Sequence, residues 1–234
     1  MYKSKRILTI IPARGGSKGI KNKNLMRIGR YTLLEHVKNI IKPIEKKLDY
    51  VWVSTDSIKI INHCKKIGLS TPFIRPKKFS SDFANISDVL LHSINFLEKK
   101  VKQKADYILL LEPTSPLRKI NNLKSCLDKC IDEDLDSCWT ISPVDSKYHP
   151  FKQFKKSGDN INFFFKKGKS IYARQQLSQT FNKNGEAYVL NINSFKKNKK
   201  ILGKKKGFII CNNNSISIDN YEDVNYVKKF LSIK

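Results

Sequence analysis

The chain has 234 residues, 40% of them hydrophobic, with 46 Lys or Arg against 20 Asp or Glu and a net charge of +26. That length suits a single large domain with its own core, and the absence of any apolar run of about 18 residues argues against a membrane span. Only seven of the basic residues are arginine, and the lysines are spread in short clusters without a basic stripe or reading helix, so the charge speaks for solubility and against a nucleic-acid partner.

Residues 7–12 read as the first buried strand. The basic, then apolar start resembles the opening of a signal peptide, but the apolar stretch is short and lacks a small-residue cleavage site. Further strand-like runs fall at 50–54, 107–111, 137–141, 187–191 and 208–211. Between them, apolar residues at i, i+3 and i+4 predict helices at 32–42, 57–67, 85–101, 119–132, 193–200 and 220–232. Asp56, Asn85, Asn121 and Asn220 stand where N-caps would help. Strands alternating with helices imply an α/β fold, with a mostly parallel sheet and helices on both faces. Ligands in such sheets gather at the carboxyl ends of the strands. There the loops PARGGSKG, STD, EPTSPLR and SPVDSKYHP are expected to converge.

The stretch 145–186 breaks the alternation. Its aromatics come in short alternating runs, and it reads as a β-rich insertion within one 1–234 domain, serving dimerisation, with Phe163–Phe165 as interface packing. Cysteines 64, 126, 130, 138 and 211 are odd in number and form no C-x-x-C pair. They fit a reducing cytoplasm and no structural zinc.

The loop after the first strand, ARGGSKGIKNKN, holds Gly15, Gly16 and Gly19 among Arg14, Lys18, Lys21 and Lys23. It is neither a Walker A motif nor G-x-G-x-x-G. It does satisfy G-x-S-x-G around Ser17, the nucleophile elbow of serine hydrolases, yet it follows the first strand, and its cations suit a polyanion better than an acyl group. Glycines let backbone N–H groups approach an anion closely. Arg14, Lys18 and Lys23 can stabilise charge on a leaving pyrophosphate, which makes them the catalytic candidates. Where lysine is the common cation, arginines beside turn residues (Arg14, Arg75, Arg118 and Arg174) point to forks for anions.

IIPARGGSKGIKNKN resembles the N-terminal signature of the CMP-sialic acid synthetases, or acylneuraminate cytidylyltransferases, including the CMP-legionaminic acid synthetases. VSTDS, RPKKFSSDFANISDVLLHSI, LEPTSPLR, HPFK, RQQLSQTFNKNGEAYVLN and ISIDNYEDV resemble later blocks of that family in the same order, so the likeness spans the chain. The resemblance implies a Rossmann-like fold of the nucleotide-diphospho-sugar transferase type and a cytoplasmic, homodimeric enzyme. It would convert CTP and a nonulosonic acid to CMP-sugar and pyrophosphate with Mg2+. The sugar is expected to be an N-acylneuraminate, with legionaminic or pseudaminic acid as the alternative.

Carried over, Arg14, Gly15, Gly16, Ser17, Lys18, Lys23, Asn24, Arg75 and Asp82 would hold the nucleotide. Glu112, Lys152, Arg174, Gln175 and Tyr188 would face the sugar. Asp219 would ligate the metal, with Ser217 acting through water. Apart from the resemblance, His149, standing before a proline, reads only as a residue that orients Lys152. Two positions depart from the family. Glu112 stands where Gln is usual, and Ser217 replaces the first carboxylate of an Asp-x-Asp pair.

Overall fold

The computed structural model describes residues 1–17, 19–211 and 215–232; Lys18, a catalytic and nucleotide-binding candidate, lies outside them. In chain order the strands are β1 (Ile7–Pro12), β2 (Arg27–Ile28), β3 (Tyr31–Thr32), β4 (Tyr50–Ser54), β5 (Tyr107–Leu110) and β6 (Ser137–Pro143). They continue with β7 (Phe154–Ser157), β8 (Asn160–Phe163), β9 (Phe181–Asn191) and β10 (Lys206–Ile210). The α-helices are α1 (Leu33–Ile41), α2 (Ile58–Ile67), α3 (Ile86–Phe96), α4 (Ile120–Asp132), α5 (Ile192–Asn198) and α6 (Tyr221–Ser232).

Period-two alternation divides the strands between two cores. Ile7, Ile11, Leu109 and Val189 enter one, with Leu34, Val37, Ile60 and Leu127 of the helices above them. Leu8, Ile10, Ile108 and Leu190 enter the other, against Leu90, Ile94 and Phe195. The sheet therefore has helices on both faces. Its order is β10-β6-β9-β5-β1-β4. β1 pairs in parallel with β4 and β5, and β10 in parallel with β6, while β9 runs antiparallel to both β5 and β6. The expectation of a mostly parallel α/β sheet holds, with β9 the one reversed strand. From β1 the chain crosses first to β4 on one side and later to β5 on the other, which leaves a crevice beyond the carboxyl end of β1.

Helix starts follow local chemistry. Thr32 and Glu35 form a reciprocal capping box at α1, and Asn85 accepts from the Ser87 N–H at α3. Asn220 accepts from the Asp223 N–H at α6. Two expected caps are corrected. α4 begins at Ile120 after Lys119, which leaves Asn121 inside the helix. Ser57 precedes α2, while Asp56 turns back to accept the Gly15 N–H at 2.9 Å.

β9 is six residues longer at its start than the 187–191 expected from sequence, so 181–186 belong to the central sheet and not to the insertion. The Asn184-Gly185 pair resembles a turn but forms an irregularity within the strand. Pairing with β6 jumps from Trp139↔Tyr188 to Ile141↔Lys183. Gly185 has φ +72, and a side chain there would meet Ser115 and Glu112. The rest of the insertion is the β7–β8 hairpin flanked by short 3-10 turns, with Phe154 stacked on Phe163 at 4.4 Å between centroids. Among the described residues no helix is long and apolar enough to cross a membrane.

Candidate active site

A cavity of about 580 Å³ opens beyond the carboxyl ends of β1 and β5. Three segments meet there. The loop after β1 brings Arg14, Ser17, Gly19, Lys23 and Asn24; the turn after β5 brings Glu112, Pro113 and Thr114; the C-terminal segment before α6 brings Ser217 and Asp219. Because β9 runs backwards, it reaches the same rim and adds Lys183, Gly185 and Tyr188. A small core of Ile20, Ile28, Leu33, Ile218, Val224 and Val227 fastens the first loop to the C-terminal segment. Gly19 lies so close to the Asp219 carbonyl that any side chain there would force the two apart.

Opposite charges are already matched at the mouth. Arg14 Nη1 lies 2.7 Å from Asp82 Oδ1. Lys23 Nζ lies 2.9 Å from Asp219 Oδ1 and donates to the Ile218 carbonyl at 2.7 Å. Asn24 is buried and donates to the Arg14 carbonyl, so it shapes the loop. The Gly15 N–H, expected to face an anion, is occupied by Asp56. Ser217 Oγ donates to Thr114 Oγ1 at 3.0 Å, and the Ile218 N–H donates to the Thr114 carbonyl at 2.8 Å. Glu112 lies low in the cavity, where burial pushes its carboxyl pKa up; Lys183 and Arg118 oppose that shift and Asp219 adds to it. Burial and the nearby Glu112 also raise the pKa of the Tyr188 phenol.

Arg75 and Arg118 do not present their forks to this cavity. Arg75 is buried, bonded to Ser54 and to the Phe79 carbonyl, and burial lowers its pKa to about 10. It lines an adjoining cavity of about 200 Å³ with Arg14 and Asp82. Arg118 donates to the carbonyls of Glu112, Gly185 and Glu186, tying the turn after β5 to the irregularity in β9. Burial likewise lowers its pKa to about 10. Arginine beside proline looks like an anion fork in sequence. Once buried, it has become a clamp on backbone oxygens.

The residues expected on the sugar side divide. Glu112 and Tyr188 line the main cavity. Arg174 lines a separate cavity of about 320 Å³ with Asp145 and His149, while Lys152 and Gln175 are exposed on the insertion. His149 accepts the Phe151 N–H on Nδ1, and its carbonyl accepts the Lys152 N–H, so it does fix the backbone at Lys152. Lys183 was not singled out from sequence, because nothing distinguishes one lysine among so many.

Asp219 is the metal candidate. Its side chain is 76% exposed, and among the described residues no group of three His, Cys, Asp or Glu side chains could hold an ion. One carboxylate with nearby hydroxyls suits magnesium, which keeps several waters and takes the remainder of its shell from substrate phosphates.

The sequence matches the family model described as Cytidylyltransferase over residues 8–232. It is similar to the pseudaminic acid cytidylyltransferase of Campylobacter jejuni subsp. jejuni serotype O:23/36 (strain 81-176), at 26% identity over 94% of both chains. It is also similar to the CMP-N,N'-diacetyllegionaminic acid synthase of Legionella pneumophila subsp. pneumophila, at 27% identity over 92% of this chain and 90% of that one. Among solved structures, CMP:2-keto-3-deoxy-manno-octonic acid synthetase complexed with CTP superposes with a TM-score of 0.71. That match covers 97% of this chain and 99% of the other at 14% identity, a likeness of fold.

Proposed function

The chain belongs to the cytidylyltransferase family, and on that premise we propose that it transfers the cytidylyl group of CTP to the anomeric hydroxyl of a nonulosonic acid, releasing pyrophosphate. The observation that carries this reading is the cavity itself. Cations from the first loop and an acidic C-terminal segment share one space with a Glu–Lys–Tyr wall. Arg14 and Lys23, with Lys18, would neutralise the triphosphate and the charge growing on pyrophosphate. Ser17 and the glycine backbone would cradle the phosphates. Asp82 and Arg75 would shape the nucleotide side.

Magnesium would be held by Asp219, with Ser217 acting through water, and would supply charge neutralisation on the phosphates. With Asp219 turned to the metal, Lys23 would be released to pair with phosphate. Glu112, Lys183 and Tyr188 would receive the sugar. Lys152, Arg174 and Gln175, standing apart on the insertion, would serve it only from a second copy of the chain. The exposed Phe154, Ile161, Phe164 and Tyr172 on the same insertion support a homodimer. Five buried free thiols support a cytoplasmic setting.

Identities of 26% and 27% to enzymes named for pseudaminic and diacetyllegionaminic acid support the substrate class. N-acylneuraminate, legionaminate and pseudaminate are the three sugars to compare. Incubation with CTP, magnesium and each sugar, followed by pyrophosphate release, should show turnover with at least one. No sugar-dependent release with any of them would refute the reading.

A further inference from the structure

The cavity contains three acidic side chains, and two have cationic partners. Asp82 meets Arg14 at 2.7 Å and Asp219 meets Lys23 at 2.9 Å. The Glu112 carboxylate has neither an ion pair nor a hydrogen bond among the described residues. Its position is nevertheless tightly defined. The Glu112 carbonyl accepts from Arg118 at 2.6 Å, and Oε2 sits where Gly185 leaves room for it. A fixed and desolvated carboxylate with open acceptor sites, facing the cavity from the carboxyl end of a strand, has the form of a proton acceptor.

We propose that Glu112 is the general base of the transfer, taking the proton of the sugar's anomeric hydroxyl as its oxygen attacks the α-phosphorus of CTP; this rests on the cytidylyltransfer reading above. The sugar oxygen–phosphorus bond forms as the bond from α-phosphorus to the bridging oxygen breaks. Pyrophosphate leaves with that electron pair. The proton remains on Glu112 until it passes to water. The charged and titratable groups around Glu112 come from each wall: Lys183 and Tyr188 on β9, Arg118 ahead of α4, Lys23 on the first loop and Asp219 on the C-terminal segment. Burial makes that carboxylate a stronger base than one in water, while Lys183, Arg118 and Lys23 favour its ionised form.

The test is the pH dependence of kcat and of the sugar KM for the wild-type protein, Glu112→Gln and Glu112→Asp, with CTP affinity measured by calorimetry. A base must be ionised, so the wild-type rate falls on the acid side as Glu112 takes up a proton. Glu112→Gln keeps the shape of the side chain but cannot accept a proton. Its kcat should drop by about 10²–10⁴-fold and lose the acid limb, with CTP affinity within about threefold of wild type. Glu112→Asp should restore part of the rate together with the limb. A Gln variant within about fivefold of wild-type kcat, a loss confined to sugar KM, or an Asp variant without the acid limb each overturns the proposal. A wild-type protein inactive with every sugar refutes the parent reading along with this one.

Discussion

Lys23 and Arg14 hold the cavity mouth through half-exposed ion pairs with Asp219 and Asp82, and such pairs contribute about 0–1 kcal/mol to folding. Lys23→Ala and Arg14→Ala are therefore expected to leave the melting temperature nearly unchanged. In turnover they should lose about 2–4 kcal/mol of transition-state stabilisation, a hundredfold or more. Steady-state rates beside thermal melts check this; near-wild-type turnover in both variants would contradict it. Ser217 bonds to Thr114 beside Asp219, so Ser217→Asp adds a second carboxylate to the proposed magnesium site. The magnesium concentration for half-maximal rate should fall, and superimposable titrations of the two forms would place residue 217 outside the metal shell. At this scale the sequence located nine of its candidates on one cavity, from Arg14 and Ser17 through Glu112 to Asp219. It misassigned the open forks of Arg75 and Arg118, because burial, which decides whether an arginine meets anions or carbonyls, depends on residues distant in the chain.

The irregularity in β9 is the element on which the site's geometry depends. Thr140, Asn184 and Ser142 hydrogen-bond in series beneath it, and the buried Glu186 carboxylate accepts from the Lys119 N–H, Asn122 and Ser215. Glu186 thereby joins α4 to the segment that carries Asp219. Arg118 clamps the same region, so Arg118→Met removes the donor to the Gly185 and Glu186 carbonyls, while the Glu112 carbonyl keeps the Ser115 N–H at 3.3 Å. The substitution should lower stability by about 3 kcal/mol or more, because each buried acceptor left without a donor costs roughly 1–3 kcal/mol. Denaturant unfolding with an unchanged midpoint would contradict the clamp. Thr9, in the middle of β1, offers the converse case. Its hydroxyl is buried with no partner among the described residues, so Thr9→Val should raise stability by about 1 kcal/mol, and a lowered melting temperature would show that the hydroxyl is satisfied. Sequence periodicity found five central strands nearly to their ends, because each is bounded by a change of pattern. It lost the start of β9, because Asn-Gly signals a turn locally and only pairing with β6 turns it into an irregularity within a strand.

Across the whole molecule, one reversed strand explains why the cavity has two chemically distinct walls. The parallel strands deliver the cationic loop and the Glu112 turn, and β9 delivers Lys183 and Tyr188 from the opposite direction. Alternation of strands and helices made the α/β sheet legible, since it reflects burial on both faces. The reversal was not legible, because direction is set by pairing and not by composition. The insertion belongs to this scale as well. Replacing 154–163 with a short Gly-Ser link should convert the proposed dimer to a monomer by sedimentation velocity and raise the sugar KM, and a dimer that persists would exclude the hairpin from the interface. The central claim is cytidylyl transfer in this cavity, and ³¹P NMR of protein, CTP, magnesium and nonulosonic acid reads it directly. Transfer predicts one new phosphodiester resonance and pyrophosphate in equal amounts, both dependent on the sugar. Orthophosphate alone, or pyrophosphate without the phosphodiester, would contradict it.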